Sequence, residues 1–326
     1  MTGDESPDRN RSARRVEQTA QGIPSEPGAA DLSRGRRLDA PGDAVIRSLA
    51  LLESSVAMTG NPLAVITQFG SYLNASRLGQ SFTITPGCIG LRSAPGAASS
   101  VTVTVEEDPL GLVTTLHLLS ETGRPIHRCR TASDGDRMIV ESLDRREGAR
   151  TVAEALAERM PPEHRPAGPG DDAVDQLAQL DALLDDAGRH RRRTMPAQDP
   201  HDRVDVSVLP ILFEHLCTVG LPLGAVVVGA GVLQGAAGRL QATSAAEGGL
   251  MGRWNDATVE LDLTGIAECL RVRTHAAHGE TTALELYDDH QRCIALLGQF
   301  GIVGAETHAT WQDVAASLPD DASRPS

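Results

Sequence analysis

The sequence contains no lysine: all 30 of its basic residues are arginine, set against 44 acids for a net charge of −14. That balance excludes a general nucleic-acid binder, because neutralising a phosphate backbone needs a broad basic face. It suits a dissolved protein kept apart by self-repulsion. The missing lysine reads as coding bias in a GC-rich genome, not as function. Aromatic residues are scarce too, 2% of a chain that is 40% hydrophobic, so the cores must be Leu, Val, Ile and Ala. Cysteines are few and scattered; Cys88, Cys129, Cys217, Cys269 and Cys293 form no C-x-x-C pair. This argues against structural zinc and for reduced thiols in a cytoplasm. No apolar run reaches the roughly 20 residues of a membrane span. The most apolar, Val219 to Val232, is broken by Pro222 and several glycines. The N-terminus lacks the apolar stretch of a signal peptide. A cytoplasmic protein is expected, with no nucleic-acid partner and no stable membrane association.

What the chain does have is an internal echo. Leu284-Glu-Leu-Tyr-Asp-Asp-His-Gln-Arg-Cys-Ile-Ala-Leu296 aligns without a gap to Leu116-His-Leu-Leu-Ser-Glu-Thr-Gly-Arg-Pro-Ile-His127, 168 residues earlier. Leu116 falls on Leu284, Leu118 on Leu286, Arg124 on Arg292 and Ile126 on Ile294. Each copy reads as two short strands around a polar turn, with alternate leucines facing a core. The expected fold is α+β, made of two tandem homologous units, each a large antiparallel β-sheet with flanking helices. Residues 1–42 read as a disordered leader, 43–150 as the first unit and 151–206 as a helical linker region. Residues 207–318 form the second unit and 319–326 a disordered tail.

Taken in order, Asp43 is placed to cap a helix carrying Val45, Ile46, Leu49 and Leu52. Strands follow on both sides of Gly60-Asn61-Pro62, and Gly70-Ser-Tyr-Leu-Asn74 reads as a further turn. Val101, Val103 and Val105 alternate inward along a strand, and Asp134 to Leu143 forms a closing helix. Between the units the pattern gives helices over Thr151 to Met160 and Asp172 to Ala187, the latter striped by Val174, Leu177, Leu180 and Leu184. In the second unit, Leu209, Leu212, Phe213 and Leu216 line a helix. Leu223 to Gly229 is an apolar strand, Val259, Leu261 and Leu263 alternate in another, and a helix around Trp311 to Leu318 ends the unit.

Three features invite chemistry. Val226-Val-Val-Gly-Ala-Gly-Val-Leu-Gln-Gly235 resembles a dinucleotide-binding turn, whose backbone N–H groups meet a pyrophosphate at a helix N-terminus. Its spacing is G-x-G-x-x-x-G and a poor helix former follows, so it reads as a strand-to-strand turn. The ten histidines make no metal-binding spacing; His275 and His278 lie on a loop, and His117 alternates away from Leu116 and Leu118. Arg189-His-Arg-Arg-Arg193 is a dense basic knot in an acidic chain. It could complement a helix C-terminus beside Asp181, Asp185 and Asp186, or hold a carboxylate or phosphate.

Two such hairpins about 170 residues apart resemble those of the hemin-degrading factors, the HemS/ChuX-like haem-utilisation proteins of bacteria. Met58-Thr-Gly-Asn-Pro-Leu-Ala-Val65 is similar to that family's A-L-T-R-N-x-x-A-V, and Gly70 to Asn74 to its G-x-Y-x-N. His127-Arg-Cys-Arg130 resembles its H-K-x-Y, Leu221 to Val232 its L-P-x-M-x-F-V-G-N-x-G-C, and Thr281 to Gly298 its second hairpin. The resemblance spans residues 43–318 and implies two stacked halves with a haem cleft between them. It also implies a role in iron acquisition, carrying haem to a haem oxygenase or degrading it, with that oxygenase or a haem-importer component as partner. The family's contact residues depart. Its axial histidine falls on Ala178, its L-R-L-F arginine in Val101-Thr-Val-Thr104, and two further contacts at Gln299-Phe300 and Gly235-Ala236. Haem would therefore need His190 as iron ligand, with Arg189, Arg191 and Arg273 for its propionates. The alternative is a non-catalytic binding module that keeps the fold and has lost haem ligation; a nucleotide-binding enzyme requires the turn at Gly229 to open a helix.

Overall fold

Alternation of apolar and polar residues makes strands, and strands dominate this protein. The computed structural model describes residues 32, 35–77, 82, 84–108, 111–131, 133–143, 176–184, 202–276, 279–300 and 303–321. In its first part lie β1 (Arg36–Arg37), α1 (Gly42–Ser48), β2 (Ser55–Asn61), β3 (Ala64–Arg77), β4 (Cys88–Ser93), β5 (Ser100–Asp108), β6 (Gly111–Leu119), β7 (Pro125–Thr131) and α2 (Asp134–Ser142). Helix α3 (Gln176–Leu184) follows in the middle of the chain. Then come β8 (Arg203–Val204), α4 (Leu209–Val219), β9 (Pro222–Val228), β10 (Val232–Arg239), β11 (Ala242–Ala246), β12 (Gly249–Arg253) and β13 (Ala257–Asp262). The chain ends on β14 (Ile266–Ala276), β15 (Gly279–Asp288), β16 (Cys293–Gly298) and α5 (Ala305–Ser317). The α+β class is as expected. Among the described residues no helix is long and apolar enough to cross a membrane.

The strands fall into two antiparallel series, β1-β5-β6-β7-β2-β3 and β8-β14-β15-β16-β9-β10. Two exchanges weave them together. Strand β13 pairs with β3, Val259 opposite Ile66, and carries β12 and β11 onto the first series. In return β4 pairs antiparallel with β10, Leu91 opposite Gln234, and runs parallel to the second half of β3. Strand β3 thus serves both series: its first half pairs with β2 and β13, its second half with β4.

Three apolar clusters fill the spaces between layers. Val45, Ile46 and Leu49 of α1 and its extension pack with Val101, Val103, Leu116, Leu118 and Val140. Leu209, Leu212, Phe213 and Leu216 of α4 and Trp311 of α5 pack on Ile66, Val259, Leu284, Leu286 and Leu297. The echoed leucines Leu116, Leu118, Leu284 and Leu286 are all 0% exposed, as their alternation predicts. With so few aromatics, each tryptophan is tied as well as buried: Trp311 Nε1 donates to Thr282 O at 2.7 Å and Trp254 Nε1 to Leu223 O at 3.0 Å.

Several local expectations are corrected. The N-cap of α1 is Pro41; Asp43 lies in the first turn and accepts from the Gly96 N–H. Gly70 to Asn74 is no turn but the middle of β3, where the strand changes partners. Val105 is 58% exposed, because β5 runs past the edge of the core. Leu263 begins a short 3₁₀ turn after β13. Chain in contact with the fold starts before Asp43, since Arg36 pairs with Val103 and Leu38 and Ala40 are buried. It continues past Leu318: Asp205 N–H donates to Pro319 O and Asp320 bridges to Val204. The helix over Thr151 to Met160 lies outside the described residues, as do the ends of the one over Asp172 to Ala187.

Candidate functional site

Helix α3 buries charged groups between elements far apart in sequence. Its Gln179, Leu180, Leu183 and Leu184 are buried, a one-sided pattern set by helical spacing. The three leucines pack on Val226, Val228, Leu233, Leu270, Val272, Tyr287 and Leu296, the apolar floor of the second series. Between the leucines, polar side chains tie the helix to opposite sides of that floor. Gln179 Nε2 donates to Glu285 Oε1 on β15, and Asp181 pairs with Arg92 on β4. Four strand spacings separate β4 from β15, roughly 19 Å, so the helix lies across the sheet.

Arg92 is the unusual residue. Its side chain is 0% exposed, and its guanidinium carbon stands 5.8 Å from the centre of the Phe82 ring. Nε donates to Asp181 Oδ1 at 2.6 Å, and Nη2 also reaches that oxygen. Burial lowers the pKa of Arg92 and the Asp181 carboxylate opposes the shift; guanidinium is basic enough to stay charged. Asp181 is partly exposed, at 22%. Glu285 is also fully buried; Tyr287 OH donates to one of its oxygens and Gln179 to the other. The sheet face that α3 covers is therefore an apolar surface with a fixed cation at one side and a hydrogen-bonded carboxyl group at the other. Such a surface can hold a flat apolar body that bears an anionic group.

The residues singled out in the sequence are only partly placed. Arg189, His190 and Arg191 lie outside the described residues. Arg273 is on β14, but the floor of α3 takes Leu270 and Val272 from that strand, which leaves Arg273 on the opposite face. There it is exposed, with Nε 3.8 Å from Glu280 Oε1. Ala178 is exposed on α3. Val101 to Thr104 belong to β5 in the first series, far from the floor in strand order. Gln299 donates to Pro222 O at 2.6 Å, and Gly235-Ala236 lie in β10. The turn at Gly229 joins two strands, β9 and β10, through a Gly229 N–H to Val232 O bond of 2.8 Å. That removes the helix N-terminus a dinucleotide would need. Arg92 was missed. Its signal was the pair Leu91-Arg92 in an apolar strand, which suits the L-R of the family motif better than Val101 to Thr104 does.

A second polar cluster is sealed inside the first series. His127 Nδ1 lies 2.8 Å from Thr59 Oγ1 and its Nε2 2.8 Å from Tyr72 OH, so a neutral imidazole satisfies both. Burial pushes its pKa down to about 3. Burial also raises Cys129 to about 11 and holds Tyr72 well above the usual phenol value. All three are therefore neutral at pH 7 and suited to packing. His117 is buried as well, with Nε2 3.0 Å from Thr104 Oγ1.

Neither a protein-family model nor a curated protein matches the sequence. Solved structures do. Holo-PhuS, a heme-binding protein from Pseudomonas aeruginosa, superposes with a TM-score of 0.63 at 21% identity, over 97% of this chain and 100% of that one. The heme degrading enzyme ChuS of Escherichia coli O157:H7 gives 0.65 at 19%, over 95% of this chain and 96% of its own. A second ChuS structure, described as an E. coli heme oxygenase, gives 0.66 at 20%, over 89% and 90%. The chain has the fold of PhuS and ChuS. The α+β class with a large, mostly antiparallel sheet is as the sequence implied, and in this chain α3 lies over a sheet face with Arg92 beneath it.

Haem can be tested against that face. It asks for cations at its carboxylates and an imidazole, thiolate or phenolate at its iron. Arg92 fits the first demand. The second is not met by the described residues around α3: Ala178 has no ligating atom, and the Tyr287 hydroxyl proton is engaged by Glu285. These residues fit the carboxylates of a tetrapyrrole and not its metal.

Proposed function

We propose that the protein binds a carboxylate-bearing tetrapyrrole, haem or a close relative, on the sheet face that α3 covers, as a carrier in the use of haem iron. The observation that carries this reading is Arg92: a fully buried cation on an apolar floor, reached by a partly exposed acid of the covering helix. Leaving a charge in an apolar interior costs several kcal/mol unless a partner is held there. A guanidinium so placed suits a ligand carboxylate. We assign Arg189 and Arg191, in the basic knot that begins five residues after α3 in the sequence, to further carboxylates and His190 to an iron. The matched order of the two strand series supports a duplicated architecture of two homologous units. A cytoplasmic location, with haem taken from an importer component and passed to a haem oxygenase, completes the proposal.

A second reading has its own support. Asp181 occupies Arg92, and Ala178 stands where the resemblance puts the axial histidine. Both favour a non-catalytic module that keeps the fold without ligating iron. Titration of the purified chain with hemin and, separately, with iron-free protoporphyrin tests the two together. The carrier reading expects saturable one-to-one binding of hemin with a shifted Soret band, and loss of any histidine-ligated spectrum in His190→Ala. Protoporphyrin bound as tightly as hemin points to the module. Spectra that stay those of the free compounds reject tetrapyrrole binding altogether.

A further inference from the structure

We infer that β11 is the seam of a weak two-fold dimer, in which it pairs antiparallel with the same strand of a second copy and joins two first-series sheets into one. The strand order has three ends, and two of them are blunted. Strand β1 is a pair of arginines, and β8 is two residues long with Arg203 held 3.4 Å from Glu268. Brevity and charge of this kind discourage pairing between edges. Strand β11 lacks such protection. Ala242-Thr-Ser-Ala-Ala246 carries no charge and no proline, pairs with β12 without a bulge, and among the described residues has no neighbour on its other side. Ser244, Ala245 and Ala246 are exposed.

The turn after β11 fixes which backbone groups face outward. Glu247 and Gly248 both have positive φ, 49° and 83°, as in a two-residue hairpin turn whose flanking residues bond to each other twice. Those residues are Ala246 and Gly249. Bonding toward β12 then alternates through Ser244 and Ala242, so the N–H and C=O groups of Thr243 and Ala245 point to the open side. A second copy turned about Ser244 sets Thr243 opposite Ala245 at both ends and satisfies all of these groups. The charges favour a copy over an unrelated strand. Arg253 stands opposite Ala242 on β12, Glu247 follows Ala246, and both are exposed. In the turned copy Ala246 comes opposite Ala242, which carries each Glu247 toward the other copy's Arg253 across two alanines. A parallel copy would bring like charges together. Strand β11 is therefore its own complement in backbone and in charge, and exposed charges of this sort set register more than affinity.

The test uses the full-length chain at physiological salt, which screens the net charge of −14 on each copy. A seam of five residues a side is short, and small interfaces are weak. Sedimentation velocity should therefore show a reversible shift from one chain mass toward two as concentration rises through the high micromolar range. Ala245→Pro removes an N–H that β12 does not use and should weaken the dimer at least tenfold. Glu247→Arg should weaken it as well, and Glu247→Arg/Arg253→Glu should restore it. Ser244→Cys places a thiol on the two-fold axis at a non-bonded pair, with Cα atoms about 4.5 Å apart, within the span of a disulfide. Mild oxidation should join its chains well above the wild-type background. Ala246→Cys, about 14 Å from its counterpart by the rise of a strand, should stay at that background. Wild type that remains monomeric into the millimolar range, with Ser244→Cys joined no faster than wild type, overturns the seam and leaves the edge to a strand of another protein. A dimer that Ala245→Pro and Glu247→Arg leave intact overturns it too, by putting the contact elsewhere. Equal joining of Ser244→Cys and Ala246→Cys removes the register on which the inference stands.

Discussion

Asn61 closes the turn between β2 and β3 with every hydrogen-bonding group of its amide in use. Nδ2 donates to Val228 O and Ile294 O, each at 2.9 Å, while Oδ1 accepts from the Leu63 and Ala64 N–H groups, also at 2.9 Å. One side chain therefore forms a turn in the first series and ties it to two strands of the second. Asn61→Ala strands polar groups on both sides and should cost about 2–3 kcal/mol, read as a lowered urea midpoint with an unchanged slope. His127 makes a different prediction. Its folded pKa of about 3 lies below the ordinary 6.5, so as pH falls the unfolded chain takes up the proton first. Stability from this residue is complete above about pH 6.5 and lost progressively toward pH 3, by about 2 kcal/mol at pH 5. Urea midpoints at pH 7, 6 and 5 check it: His127→Gln should flatten the trend, and an equally steep trend in that variant would assign the effect to other groups.

At the scale of elements, β3 is the strand to probe. A Cβ on Gly70 would lie 2.7 Å from the Gly87 carbonyl oxygen, just where β3 leaves one set of partners for another. Backbone cannot yield there as a side-chain tip can, so Gly70→Ala should destabilise by about 1–3 kcal/mol. Equilibrium denaturation measures it, and a loss under 0.5 kcal/mol, roughly the noise of a surface substitution, would mean that the crossover is slack. The same strand marks the limit of sequence reading. Gly70, Ser71 and Asn74 are turn formers by composition, yet pairing with β2 at Gly70 and with β4 from Ser71 onward outweighs that preference. The echoed hairpins were legible because alternate leucines with a polar turn report on local geometry alone. Val105 kept its alternation and still failed, since its exposure depends on where the core stops. The contact of Arg92 with Asp181 was illegible for a related reason: the two residues lie 89 positions apart, and nothing near either marks their pairing. The glycine turn at Gly229 was read rightly, because a helix needs residues after the turn that Ala236 to Ser244 do not provide.

Across the whole molecule, the exchange of β4 and β13 makes each strand series depend on the other part of the chain for a neighbour. A fragment of residues 202–321 leaves β10 without β4 and β13 without β3. Such edges seek pairing, and if the two halves are homologous, β13 of one copy can take the edge of β10 in another. That fragment should run as a two-fold dimer in light scattering after size exclusion, whereas a well-folded monomer would show that the exchange is dispensable. The exchange also fixes a waiting time during synthesis. Ala64 to Gln68 emerge with one edge bare, and their partners, Ala257 to Leu261, follow 193 residues later. At about 5–20 residues per second the ribosome leaves that edge open for roughly 10–40 s. Chaperones and neighbouring nascent chains therefore meet this protein first as an unfinished sheet, and its yield in a cell depends on how well that interval is guarded.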